Sequence, residues 1–471
     1  MLFYEPLFLF LYAPFVYCLY LLLGARRGAR LALLLVASLL FYAWSEPLFV
    51  FLVLATVLAD FFIARRIAAN ARAGGLWLAL GVACNLGVLV TFKYAGFLVA
   101  NVDAVARAFG APGLALPAIA LPIGVSFIVF EKITYLVDVR RGVTAPARSF
   151  SLYAFYVFFF PKLLAGPIVK YHEIAAQLDR FRHADMDDFV QGFARFMLGV
   201  AQKLLLADTL ADGADLVFLA DASRIGCADA FAGVLFFTFQ IYFDFTGYSN
   251  MAIGLARMFG FRLPENFDRP YVAASLTEFW RRWHMSLTGW IKDYLYVPLG
   301  GNRLGERRTQ INLWICFLAS GLWHGAAWTY VAWGAYNGFF LALERAFLLD
   351  WLKRRPVWLA NLLTFLVIMI GWTLFRATSL EQAGRLLLAM ARPWPAAEPI
   401  LFPAYDLVVL LIAAAICVAQ RLTLSLGDRA ALAPLAQRLA FAANGALALL
   451  FACAVGKGLA DPFKPFLYFR F

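Results

Sequence analysis

The chain has 471 residues, 63% of them hydrophobic, 17% aromatic and only 15% charged, with a mean hydropathy of +0.76, which excludes an ordinary soluble domain. A net charge of +12 invites a nucleic-acid reading. The basic residues are spread over short loops between apolar runs instead of forming one patch, so they read as orientation signals, and the bilayer, not nucleic acid, is the expected partner.

Apolar runs of about 20 residues, enough to cross a hydrocarbon core of about 30 Å, recur along the whole length. The first, near residues 7 to 23, has no basic region before it and no small-residue cleavage site after it, and reads as a retained helix. The loops GARRGAR (24–30), ARRIAANARAGG (64–75) and DVRRGVTAPAR (138–148) are basic, while the connection around Ser45, Glu46 and Pro47 is not. The positive-inside rule puts the basic loops in the cytoplasm and the N-terminus outside. Continuing the alternation places the acidic segment 207–230 outside and the basic segment 257–310 inside, but only if the apolar stretch 150–168, with its FFFPKLLAGP, enters and leaves on one side. Pro161 and Pro167 interrupt helical hydrogen bonding and Gly166 permits a turn, so a re-entrant segment is expected there, with a kinked span as the alternative.

The polar segment KYHEIAAQLDRFRHADMDD (170–188) carries His172 and His183. His183 and Asp188 match an H-x4-D pattern, which reads as chance in so acidic a stretch. Further spans are expected at 189–206, 231–256, 311–347 (long enough for two), 357–375, 403–420 and 439–456. Together they predict an all-α polytopic integral membrane protein, one domain over 1–471, with roughly 11 to 13 membrane segments. Cys18, Cys84, Cys227, Cys316, Cys417 and Cys453 are widely spaced and read as packing residues, with neither a disulfide frame nor a metal site.

In LFFTFQIYFDFTGYSNMAIG (235–254), Gln240, Asp244 and Tyr248 recur every four residues with Gly247 and Met251 on the same side. The stripe must face protein or water, and an ionisable group at that depth is by default a site hypothesis; a structural network between helices is the equal alternative. The block SLTEFWRRWHMSLTGWIKDYLYVPLGGNR (275–303) opens with a Ser275, Thr277 and Glu278 start signal. Its Arg281, Arg282, His284, Lys292 and Arg303 among aromatic residues suit a helix at the cytoplasmic interface, although an anchor alone explains the histidine poorly. Gly300 and Gly301 mark a tight turn.

SGLWHGAAWTYVAWG (320–334) then sets His324 in an apolar run. On one helix Ser320, His324, Ala327 and Val331 share a face, while Gly321 with Gly325 and Gly334 with Gly338 form small-xxx-small pairs that pack membrane helices closely. His324 therefore points into the bundle, where a plain hydrogen bond to a neighbouring helix is the alternative to a chemical role; His284, on a different helix, makes a second imidazole that can converge with it. A neutral imidazole takes a proton near neutral pH, so general-base acyl transfer from a thioester to a hydroxyl fits. No Ser nucleophile is advertised, since GYSNM fails the G-x-S-x-G elbow.

At these residues the sequence resembles the membrane-bound O-acyltransferase family, in its bacterial alginate O-acetyltransferase branch. LPIGVSFIVFEKITYLVDVRRG (121–142), LLAGPIVKY (163–171), ENFDRPY (265–271), GLWHGAAWTYVAWGAYNG (321–338), PFLYFRF (465–471) and the two long blocks above all look like that branch. The resemblance implies a bundle with re-entrant helices around a central tunnel or funnel, in the bacterial inner membrane. It implies His324 as active-site base, His284 as the second functional histidine, and a passage lined by Gln240, Asp244, Tyr248, Asn250, Trp283, Tyr294 and Trp323. Asn250 stands where some relatives carry Asp. No cofactor is permanently bound; acetyl-CoA or another acyl thioester is the donor, and a periplasmic acetyltransferase or other polysaccharide-modification protein and an exported glycan are the partners. D-alanyl or lipid O-acyl transfer, and a polytopic transporter, are the alternatives.

Overall fold

The computed structural model of the chain describes residues 1–117, 119–179, 181, 184–221, 225–392, 399–426 and 433–470; His183 lies outside them. Every regular element among these residues is helical, the only open-chain solution in lipid, because each helix satisfies its own backbone groups. Six helices are long and apolar enough to cross a bilayer: Arg27–Ser45, Gly74–Ala108, Cys227–Met258, Val357–Arg376, Ala404–Arg421 and Ala442–Ala460. Shorter or more polar helices accompany them, among them Phe8–Leu22, Phe49–Ala69, Glu306–His324 and Trp328–Leu343. The protein is an all-α, polytopic membrane protein.

The chain forms two compact units, Met1–Phe196 with Met251–Pro264, and Met197–Asn250 with Glu265–Phe471. In the first, the helix Val125–Arg141 is buried on nearly every side. Its adjacent Glu131 and Lys132 serve different neighbours: Lys132 pairs with Asp60 at 3.2 Å, and Asp60 also accepts from Asn85, while Glu131 accepts from Lys162 and from the Val169 N–H. Every one of these buried charges has an opposite partner, the condition on which such groups survive in an interior. His172 also belongs to this unit and pairs with Asp138 at 2.8 Å.

The stretch that the prolines mark is broken as expected. The helix Phe150–Phe158 stops at Phe159, a single turn follows at Phe160–Leu163, and irregular backbone runs to Lys170, nearly all of it buried. Such backbone is tolerated at membrane depth only when protein wraps it. Here the Tyr156 hydroxyl donates to the Val169 carbonyl at 2.7 Å, and the Phe160 N–H to Ser38 Oγ at 3.0 Å.

The helix Cys227–Met258, which belongs to the second unit as far as Asn250, is mostly buried, and Gly247 brings it against the neighbouring segment: a Cβ there would lie 2.8 Å from the Gly199 carbonyl oxygen. The helices Glu306–His324 and Trp328–Leu343 form an antiparallel pair. A Cβ on Gly321 would sit 2.2 Å from the Tyr330 carbonyl oxygen, and one on Gly334 2.4 Å from that of Phe317. The glycines let the two backbones touch, as the small-residue spacing predicts. The predicted face is shorter than expected, however. His324 ends its helix, Gly325 is fully extended, and a new helix starts at Trp328, so Ala327 and Val331 do not share a helix with Ser320 and His324.

The 275–303 block also breaks where one helix was expected, into Leu276–Arg282 and Met285–Ile291. The start signal holds: Ser275 Oγ accepts from the Glu278 N–H at 3.1 Å, and Glu278 reaches back to the Ala274 N–H at 2.9 Å, a reciprocal cap. A second carboxylate completes that helix start from afar. Buried Glu344 accepts from the Leu276 N–H, from the Thr277 N–H at 2.9 Å and from the Thr277 hydroxyl at 2.7 Å, satisfying orphan donors at the positive end of the helix.

Candidate active site

His284 occupies the break between the two short helices with φ +45, a left-handed conformation that is unfavourable for a residue with a Cβ and persists only when neighbours impose it. Asn266 is the neighbour that imposes it. Its backbone carbonyl accepts the Met285 N–H at 2.9 Å, and its Oδ1 lies 3.0 Å from His284 Nδ1 while accepting the Ser286 hydroxyl at 2.9 Å. Its Nδ2 donates to Ser249 Oγ at 3.2 Å. Because the amide oxygen faces the ring, Nδ1 carries the hydrogen, and the lone pair of the neutral imidazole falls on Nε2. Burial holds the pKa of this histidine well below its ordinary value, which keeps the ring neutral.

His324 is the last residue of its helix and sits in an aromatic box. Trp333 and Phe375 each meet it edge-on at 5.2 Å between centroids, and Trp323 packs at 4.9 Å. The same Trp323 lies 6.0 Å from His284, and Tyr468 lies 5.6 Å from His324 and 6.2 Å from His284. Both imidazoles also wall one cavity of about 70 Å³. The other walls are Trp280 and Trp283, one face of Met285–Ile291, and the face of Glu306–His324 that carries Cys316, Phe317 and Ser320.

In the sequence the tail 464–468 contributes only to the resemblance, with no place in the site. Lys464 Nζ donates to the Asp208 carbonyl at 2.8 Å, and the Leu467 N–H donates to Asp244 Oδ2 at 2.7 Å. Phe466 stacks on Tyr248 at 4.7 Å, which delivers Tyr468 to both histidines. Asp244 therefore does not stand alone in its apolar helix: besides the tail amide it pairs with Lys203 at 2.8 Å, and Lys203 also pairs with Asp208 at 2.7 Å. Lys203 was legible only as one cation in an apolar run.

Of the residues singled out from the sequence, His284, His324 and Trp283 wall the cavity. Trp323 touches both histidines, and Asp244 and Tyr248 hold the tail that reaches them. Gln240, Asn250 and Tyr294 are not in its wall. Gln240 is buried on the Asp244 helix, Asn250 donates to Gln202 at 2.8 Å, and Tyr294 packs on Trp290 at 5.4 Å. Two imidazoles at one small, mainly apolar cavity can take and relay a proton where water is scarce, a setting suited to moving an acyl group from sulfur to oxygen.

Comparison with known proteins accords with that chemistry. The family model of the membrane-bound O-acyltransferase family (MBOAT) matches residues 125–381, more than half of the chain. A "Probable alginate O-acetylase AlgI" of Azotobacter vinelandii is 40% identical over 506 aligned positions, covering 100% of both chains. A protein of the same description from Pseudomonas putida is 45% identical, over 83% of this chain and 80% of its own. The peptidoglycan O-acetyltransferase of Helicobacter pylori is 35% identical, over 83% of this chain and 80% of its own.

Proposed function

The chain belongs to the membrane-bound O-acyltransferase family and is an O-acyltransferase, and from that premise we propose that it works as a single inner-membrane unit that O-acetylates an exported polysaccharide. The donor is a cytoplasmic thioester, acetyl-CoA or another acyl thioester, and no cofactor stays bound. The acetyl group crosses to an alginate-like or other glycan, directly or through a periplasmic modification protein.

In this reading His324 is the general base. The hydroxyl oxygen of the acceptor attacks the thioester carbonyl carbon as its proton passes to His324. The C–S bond breaks, and the proton then goes to the departing thiolate. His284, neutral and with its lone pair on Nε2, orients the hydroxyl. Positioned base catalysis of this kind contributes about 10²–10⁴-fold. Asp244 and Tyr248 act through the tail, and Trp283 and Trp323 border the passage; Gln240, Asn250 and Tyr294 line its approaches.

The observation that carries the reading is the convergence of His284 and His324 on one cavity. Replacing His324 by Ala is expected to abolish acetyl ester on the exported glycan while the protein still inserts at normal abundance. Acetylation persisting at the normal level would overturn the assignment. Mass spectrometry of the product separates acetyl from D-alanyl or longer acyl esters.

A further inference from the structure

The cavity that holds the two histidines is small. An apolar cavity of about 150 Å³ accepts benzene, six heavy atoms; at about 70 Å³, this one has room for roughly three. An acetyl group has three: the carbonyl carbon, its oxygen and one methyl. Propionyl has four and butyryl five.

An added methylene would meet walls contributed by two different helices. Leu287 is buried on the short helix that begins just after His284, and half-buried Ile291 follows one turn later. Across the cavity stands Phe317. The Phe317 backbone is held in the glycine packing, where its carbonyl oxygen would lie 2.4 Å from a Cβ on Gly334, and its ring meets Trp280 at 5.5 Å. Cys316, beside it, is buried. Around so small a cavity an added methylene forces these side chains, or the backbone that carries them, to shift.

We propose that Leu287, Ile291 and Phe317 form an acyl-length gate that restricts the transferred group to two carbons. The proposal rests on the reading above that this cavity receives the acyl group, and it adds which residues decide how large that group is. Each methylene beyond acetyl should cost about ten- to two-hundredfold in transfer, the usual discrimination for one methylene in a tight apolar pocket. Removing a wall side chain should admit the longer chains.

The test uses membranes containing the full chain and radiolabelled acetyl-, propionyl- and butyryl-CoA. The readout is the release of free CoA that a His324→Ala preparation lacks, expressed as the butyryl-to-acetyl ratio within one sample. A ratio does not depend on how much of a variant folds. Wild type should favour acetyl at least about tenfold over propionyl, and Leu287→Ala and Phe317→Ala, on different helices, should each raise the ratio at least about tenfold. Ile291→Val, which removes a single methyl, should raise it less. Equal use of butyryl by wild type, or an unchanged ratio in both alanine variants while they still transfer acetyl, would overturn the gate. No His324-dependent release from any thioester by wild type would sink the acyl-transfer reading itself, and the gate with it.

Discussion

Asn266→Ala is the sharpest test of how the site is set. The side chain is 1% exposed, and its Oδ1 serves His284 Nδ1 at 3.0 Å and the Ser286 hydroxyl at 2.9 Å, while Nδ2 holds Ser249 at 3.2 Å. Truncation leaves buried polar partners unmatched, at about 1–3 kcal/mol, a loss that a detergent-solubilised melting curve registers. The functional loss should be larger than this destabilisation explains. Without an acceptor at Nδ1, the His284 imidazole is free to place its hydrogen on either nitrogen and to rotate, so the hydroxyl it orients is no longer held toward His324 and part of the base contribution of about 10²–10⁴ disappears; a fall of about tenfold or more in acetyl transfer per folded molecule is expected. The sign of the pH effect is fixed by the same contact. Burial lowers the His284 pKa, so the wild-type ring stays neutral, and active, as pH falls through the ordinary histidine range. Asn266→Asp keeps an acceptor but adds a negative charge beside Nδ1–H, which favours the imidazolium. Its acid limb should therefore move upward, with activity lost at pH 6 before it is lost at pH 8. Rates measured on labelled thioester from pH 5 to 9, normalised to folded protein, decide the matter. Wild-type activity and an unshifted profile in both variants would refute the orienting role of Asn266.

Lys203→Met strands Asp208 and Asp244 in an apolar interior, and breaking a buried pair costs about 3–5 kcal/mol; little folded protein should be recovered by fluorescence-detected size exclusion, and adding Asp244→Asn should restore part of it. Gly321→Val pushes a side chain against the Tyr330 backbone, which cannot swing away. Its melting temperature should fall by more than that of Gly289→Val, where a Cβ meets nothing within 4 Å. Leu467→Pro deletes the amide that Asp244 accepts; with bonds to charged groups worth about 1.5–3 kcal/mol, residues 464–468 should become accessible to hydrogen exchange, and acetyl transfer should fall.

Local patterns were readable because their causes are local. The four-residue recurrence of Gln240, Asp244 and Tyr248, the Ser275 and Glu278 start signal and the glycine spacing of 321–338 all follow from one turn of helix. The broken stretch at 150–168 followed from the chemistry of proline. Pairings across the chain left no such trace. Asn266 holds a histidine 18 positions away, and the Leu467 amide finds a carboxylate 223 positions earlier. The break at His284 was hidden for the same reason: Leu276–Ile291 has helical periodicity and no proline or glycine at the break, so only the tertiary grip of Asn266 turns the backbone there. His324 was read on too long a face because Gly325, taken as a packing residue, is where its helix ends.

The grip of Glu344 on the start of Leu276–Arg282 has a further consequence. That carboxylate stands at the far end of the hairpin whose near end carries His324, and the helix it caps leads directly to His284. The two histidine-bearing arms are thus joined like the legs of a caliper by one pin, at a point remote from both tips. Mutations around that pin offer a way to alter the spacing of the rings without touching either of them.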